Sequence, residues 1–366
     1  MCIIEEVDIN NKLNNEIQII VNESIKLVSD SLLAIVLYGS YGRGEGAFFS
    51  DEEGKIRTYN DFDIILVVSD LLEQEIINEI SNTLSDKLDV KWIDISQKSK
   101  KTLKNLKLSI FNYDFKYGSR VIYGDNLILE DIPKFQNIHL SLKEAETLYF
   151  TRIWTFLGSL PKNGFESGVS GEDSRFFKNQ MAKAILAIVD IVLLQKKCYD
   201  TSYRKRVELI NNTCQNKPDL IKWSNWAIKE KCRPSGNKLS PLDVETMYSE
   251  IANIFLVEMF HVLSIYYKKK INCSKDIESS LRFSFSEFVV TTKLFLKNKR
   301  LKYIKNKKIG LAQSYLLEAY IKEGKQKVDL INKSKKIVKS IDSSIDLRKL
   351  DWNELRLLVS ELRMYL

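Results

Sequence analysis

Leu32–Tyr38 (LLAIVLY) is a seven-residue run with no charge, and it stops at Gly39-Ser40. A run this short and this apolar reads as a strand covered on both faces. Two more runs of the same kind follow: Asp61–Val68 (DFDIILVV) and Val90–Ser96 (VKWIDIS). Helical periodicity lies between and before them. Leu13, Ile17, Ile20, Val21, Ile25 and Val28 recur at helical spacing over 11–29, and Leu72, Ile76, Ile77, Ile80 and Leu84 do so over 71–88. Helices alternating with short strands predict an α+β or α/β domain over residues 1–130. Around Pro133 the pattern changes. From 137 to 366 it is almost wholly helical, with helices expected over 142–160, 174–198, 202–212, 220–232, 241–269, 276–296, 312–339 and 352–366. The expected architecture is therefore α+β: an N-terminal mixed-sheet domain, then a larger all-helical domain of substrate-binding or accessory type. Only 14 Gly and 5 Pro in 366 residues agree with long helices.

Several classes are excluded. The five cysteines are widely spaced with no C-x-x-C pair, and there are two histidines, so neither a disulfide framework nor a His-rich metal site is indicated. The first residues carry Glu5, Glu6 and Asp8 before any apolar run, unlike a secretory leader. The apolar stretch 181–194 is interrupted by Lys183 and Asp190, so no membrane span is expected and a cytoplasmic location is. The net charge is +8, and its excess sits in 290–340: Lys293–Lys339 holds 15 Lys/Arg against Glu318, Glu323 and Asp329. Such a segment is an alternative docking surface for nucleic acid. Its few aromatics (Phe295, Tyr303, Tyr315, Tyr320) favour a solvated face.

Chemistry concentrates around the first three runs. Asp61 and Asp63 are two apart at the start of an expected strand, which puts both carboxylates on one face. Two such groups repel unless a cation lies between them, and hard oxygen donors suit Mg²⁺. Asp94 stands between Ile93 and Ile95 on the third run and would join them if the strands are neighbours. Gly39, Gly42, Gly44 and Gly46 allow close backbone approach, Ser40 adds a hydroxyl and an N–H, and Arg43 adds a fork of donors suited to phosphate. The glycines match neither a P-loop nor a dinucleotide fingerprint.

Gly39-Ser40 … Asp61-Phe62-Asp63 … Asp94 resembles the signature of the nucleotidyltransferase superfamily, which includes DNA polymerase beta and the small-molecule aminoglycoside and lincosamide nucleotidyltransferases. Arg120–Asp125 is similar to the segment that closes this domain in the small-molecule members. The resemblance covers residues 30–125. It implies transfer of a nucleoside monophosphate from a nucleoside triphosphate such as ATP to a small-molecule hydroxyl or phosphate, with release of pyrophosphate. It also implies Gly39 and Ser40 on the triphosphate, two Mg²⁺ ions on Asp61 and Asp63, and Asp94 as third ligand or base. The stretch 48–58, which lengthens the spacing between Ser40 and Asp61, reads as an inserted loop. Lys183 is a candidate for the β- and γ-phosphates, with Lys178 and the cluster Tyr203–Arg206 as further candidates. Glu144 and Glu146 are candidate bases. Two other readings stand beside this one: the same transfer onto RNA or a protein side chain, and a non-catalytic nucleotide-binding protein.

Overall fold

Strand β1 (Leu32–Tyr38) follows helix α1 (Ile3–Val28) and lies at the centre of the N-terminal half. The computed structural model describes residues 3–59, 61–90, 93–282 and 300–365. After β1 come the single turn α2 (Gly39–Gly42), a hairpin of β2 (Phe48–Ser50) and β3 (Ile56–Thr58), then β4 (Asp63–Val68), α3 (Gln74–Leu88) and β5 (Asp94–Ser99). The helices α4 (Lys100–Lys104) and α5 (Ile110–Tyr117) and the strand β6 (Arg120–Gly124) complete the series. The sheet order is β5-β4-β1-β6, with β4 and β5 parallel and the other neighbours antiparallel.

The apolar runs are explained by cover on both faces. Ile35, Leu37, Ile64, Leu66 and Val68 pack with Ile20, Val21 and Val28 of α1 and with Ile77, Ile80 and Leu84 of α3. Ala34, Val36, Ile65 and Val67 pack on the opposite face with Leu103, Phe115, Ile128 and Ile132. Strands buried on both sides need no polar alternation.

Three expectations are corrected here. The third run, expected over Val90–Ser96, forms strand only from Asp94 to Ser99, so Asp94 opens β5 instead of standing inside it and is exposed; Lys91 and Trp92 lie outside the described residues. Asp61 precedes β4 instead of opening it. The stretch 48–58 is an ordered hairpin. At its tip Asp51 accepts from Glu53 N, Lys55 N and Arg57 Nε, and Tyr59 N donates to Ala47 O at its base.

The chain divides into two compact units. The first comprises 1–141 together with two later segments, 197–208 and 231–234; the second holds the rest. The second unit is helical: α6 (Lys143–Leu157), α7 (Gly164–Ser167), α8 (Gly171–Gln195), α9 (Tyr203–Thr213, counted with this unit from Leu209), α10 (Pro218–Cys232, counted with it to Glu230), α11 (Pro241–Tyr267), α12 (Ser274–Arg282), α13 (Arg300–Tyr320), α14 (Gly324–Lys339) and α15 (Trp352–Tyr365). The helix expected over 312–339 is two helices, parted at 321–323, with Gly324 at φ +55°. The later part of the helix expected over 276–296 lies outside the described residues. α11 starts at a capping box, Ser240 with Asp243, with Pro241 in its first turn. It is long and apolar enough to cross a membrane by length and composition, yet Val244, Tyr248, Phe255, Met259 and Leu263 are buried within the helical unit. Arg356, fully buried, donates to the carbonyls of Leu157, Leu160 and Pro161, which closes the C-terminal end of α6.

Candidate functional site

The parallel register of β4 and β5 sets Asp63 directly beside Asp94. On the other side of β4, the antiparallel register sets Tyr38 beside Asp63. Asp94 N donates to Phe62 O at 3.0 Å, so the backbone just before β4 is also held to β5. The strand ends thus bring Asp61, Asp63 and Asp94 into one electrostatic neighbourhood, as the sequence predicts. Gly39, which begins the turn after Tyr38, has φ +65°. A Cβ placed there would lie 1.9 Å from Oδ2 of Asp63. A side chain there would be strained by the positive φ and would have to displace the Asp63 carboxylate from its place.

The charges are poorly balanced. Burial pushes the Asp63 carboxyl up to about 7, and the carboxylates of Asp61 and Asp94 push it the same way. Lys231 and Arg43 oppose the rise. Asp94 is also raised, by burial and by Asp61. The Tyr38 hydroxyl is raised by burial and by the same three acids. Among the described residues, no three His, Cys, Asp or Glu side chains are drawn together as a ready cation cage. Mg²⁺ does not need one, since it commonly takes one or two carboxylates and fills its other positions with water and phosphate. An all-carboxylate donor set with an excess of negative charge fits that ion.

Ser40 is buried in α2, and its carbonyl accepts from Glu45 N at 2.8 Å. Arg43 has internal partners that the sequence does not announce. Its side chain is 7% exposed, with Nη1 3.7 Å from Asp114 and Nε 3.4 Å from Glu45, and its guanidinium lies 4.6 Å from the Tyr203 ring centre. The expected phosphate fork is thus committed to a network inside the first unit. In that network Glu45, 4% exposed, accepts from Ser202 Oγ, Tyr203 N and Arg204 N, which satisfies the open N–H groups at the start of α9. Asp114 accepts from Tyr199 Oη and from Arg206 Nη2 at 3.0 Å. Arg206, 1% exposed, also donates to the carbonyls of Asp200 and Thr201. The Tyr203–Arg206 cluster therefore holds the segment 197–208 against the Gly-rich turn.

Compared with known families, curated proteins and solved structures, the chain matches none.

The remaining candidates fall in the second unit. Lys183 is half-buried on α8. Lys178 is buried on the same helix and donates to Ser235 Oγ. Glu144 and Glu146 are on α6, where Glu146 accepts from Tyr267 Oη and from Lys307 Nζ (2.9 Å). In the basic segment, residues 293–299 lie outside the described set. Several later lysines have internal roles: Lys335 donates to Leu350 O, Lys339 to Ser343 O, and Lys333 lies over the Tyr315 ring. Sequence reasoning missed Lys231, which is 5% exposed and whose charge reaches Asp63. No local pattern marks that lysine.

Proposed function

We propose that this chain is a Mg²⁺-dependent nucleotidyltransferase that moves a nucleoside monophosphate from a nucleoside triphosphate to a hydroxyl or phosphate group of a small acceptor. The observation that carries the reading is the placement of Asp63: register-paired with Asp94, close in charge to Asp61, and seated against Gly39 of the Gly39-Ser40 turn. A carboxylate cluster with a proton affinity this high is costly to the folded protein, and costs of this kind concentrate at functional sites. The finer fold assignment, a nucleotidyltransferase-type domain, is part of the same proposal.

Asp61, Asp63 and Asp94 would hold the ions, and Gly39 and Ser40 would face the triphosphate. When bound, Mg²⁺ supplies charge neutralisation at the α-phosphate and at the pyrophosphate leaving group. Asp63 must release its proton to serve as a ligand, and Lys231 lowers the cost of doing so. The acceptor oxygen forms a bond to the α-phosphorus, the bond from that phosphorus to the bridging oxygen breaks, and pyrophosphate leaves with the electron pair. The acceptor's proton passes to a nearby base, for which Asp94, the most exposed of the three acids, is the nearest choice.

The test is thermal stability with each nucleoside triphosphate, with and without Mg²⁺. A ligand at a hundredfold excess over its Kd adds about 2.7 kcal/mol. A Mg²⁺-dependent rise for one nucleotide, lost in the Asp61→Asn/Asp63→Asn variant, is the expected result. No rise with any nucleotide would sink the reading.

A further inference from the structure

A second group of side chains stands on the carboxylate face of the sheet. Lys98 follows Asp94 by four residues on β5, so the two side chains leave the same face of the strand. Phe111, in the first turn of α5, packs over this face and is 45% exposed. The Tyr38 ring meets it edge-on at 5.5 Å between centroids, and Lys98 Nζ lies 5.7 Å from its centre. One phenyl ring thus meets both an ammonium and the tyrosine that pairs in register with Asp63.

Lys98 differs from its neighbours. Lys100 and Lys104 both reach Asp131, at 3.3 and 3.8 Å. Lys116 donates to the carbonyls of Leu129 and Ile132. The half-buried Lys98 has the Phe111 ring as its partner and no carboxylate or carbonyl among the described residues. Burial alone holds its ammonium below the usual lysine range. A cation that has lost water without gaining a counter-ion is suited to an incoming anion, and lysine serves phosphate well as a point charge. Phe111 is stacked on Phe115 at 6.3 Å between centroids yet is 45% exposed, and an exposed aromatic ring is suited to the C–H face of a saturated ring.

We propose that Lys98, Phe111 and Tyr38 form the acceptor subsite, and that the acceptor is a small sugar-like molecule carrying a phosphomonoester. The phosphate sits on Lys98, the ring lies on Phe111, and the reacting group points toward Asp63 and Asp94. This rests on the nucleotidyl-transfer reading, since the three acids define the reacting end. Four residues of strand place the Cα atoms of Asp94 and Lys98 about 13 Å apart. That span is on the scale of a monosaccharide monophosphate.

The test is independent of the nucleotide. The unliganded protein is treated with an amine-acylating reagent at neutral pH, and modification of Lys98, Lys100 and Lys104 is followed by peptide mass spectrometry. Glucose 6-phosphate, the probe, slows modification of Lys98 several-fold and leaves Lys100 and Lys104 unchanged. Glucose alone does not protect, and inorganic phosphate protects only at much higher concentration. Phe111→Leu weakens the protection several-fold. Calorimetric titration with the same probe reports Lys98→Met, which loses binding, and Lys98→Arg, which retains it. Equal labelling of Lys98 with and without the sugar phosphate overturns the proposal, as does unchanged binding in Lys98→Met. Inorganic phosphate acting as well as the sugar phosphate overturns the ring contact. The Mg²⁺-nucleotide shift is measured on the same protein. Protection without that shift keeps the anion-and-ring site and removes nucleotidyl transfer; the shift without protection removes the subsite alone.

Discussion

The Cα of Gly39 and the carboxylate of Asp63 are in such close contact that a Cβ on residue 39 would fall 1.9 Å from Oδ2. Two penalties therefore meet at one position: the clash itself, and φ +65° in a residue that would no longer be glycine. Gly39→Ala is expected to destabilise the protein by about 1–3 kcal/mol, measured by chemical denaturation. Adding Asp63→Ala removes the clash and leaves the backbone strain. The double variant should therefore be more stable than the sum of the single changes implies. Additivity of the two would show that the contact is absent.

Asp63 also ties stability to pH. Its carboxyl is raised from about 3.8 to about 7, so the folded state keeps a proton that the unfolded state has lost. Where the unfolded chain binds fewer protons, stability falls as pH rises. The stabilising effect of protonation is full below the unfolded value, is lost as pH climbs toward 7, and is gone above it. Asp63→Asn, which carries no charge, should lack this dependence. At pH 8 and without ligand it should be the more stable protein, by on the order of 1–3 kcal/mol. Thermal unfolding of both proteins from pH 5 to 8 checks the slope and the crossing. A wild-type curve parallel to that of the variant would contradict the assigned proton affinity.

Lys231 opposes the rise in Asp63, and its removal should be felt there. Lys231→Met keeps the buried stem and deletes the charge. The pH at which the stability curve levels off should then move upward, and Mg²⁺-nucleotide binding should weaken because a more tightly protonated Asp63 competes with the metal. An unmoved plateau would place the Lys231 charge outside the reach of Asp63.

Asp114 supports a buried cation. Asp114→Asn removes the carboxylate that pairs with the guanidinium of Arg206, which is 1% exposed. Breaking one side of a buried pair costs about 3–5 kcal/mol. Glu45→Gln should cost less: its amide oxygen can still accept from Ser202 Oγ and Arg204 N, although its NH₂ cannot replace the oxygen that accepts from Tyr203 N, and Arg43 keeps Asp114 as a counter-charge. Urea denaturation of the two variants gives the order directly, and the reverse order would mean that capping of α9 outweighs the ion pair.

Much of the first unit was legible because its signals are local. β1 falls where LLAIVLY places it, since a run buried on two faces has to be apolar at every position. Asp61, Asp63 and Asp94 were visible as acids at the edges of such runs. What was not legible depends on residues distant in sequence. Arg43 looks like a phosphate ligand until Asp114 and Glu45 surround it, and the Asp114–Arg206 pair spans 92 positions. Lys231 carries no local mark. The break between α13 and α14 was hidden by lysine-rich composition that weakens helical periodicity, although Gly324 was there to signal it.

The first unit is not contiguous in the chain, and this bears on how it is made. Glu45 and Asp114 leave the ribosome long before Ser202, Tyr203, Arg204 and Arg206, and the Glu45–Tyr203 bond closes a separation of 158 residues. Until those later residues emerge, the growing polypeptide carries Glu45 and Asp114 with Arg43 between them but without Arg206 and the backbone N–H groups of 203 and 204. N-terminal folding during synthesis therefore stops short of completion, and a nascent chain released near Ser141 lacks the donors that Glu45 and Asp114 hold in the finished unit.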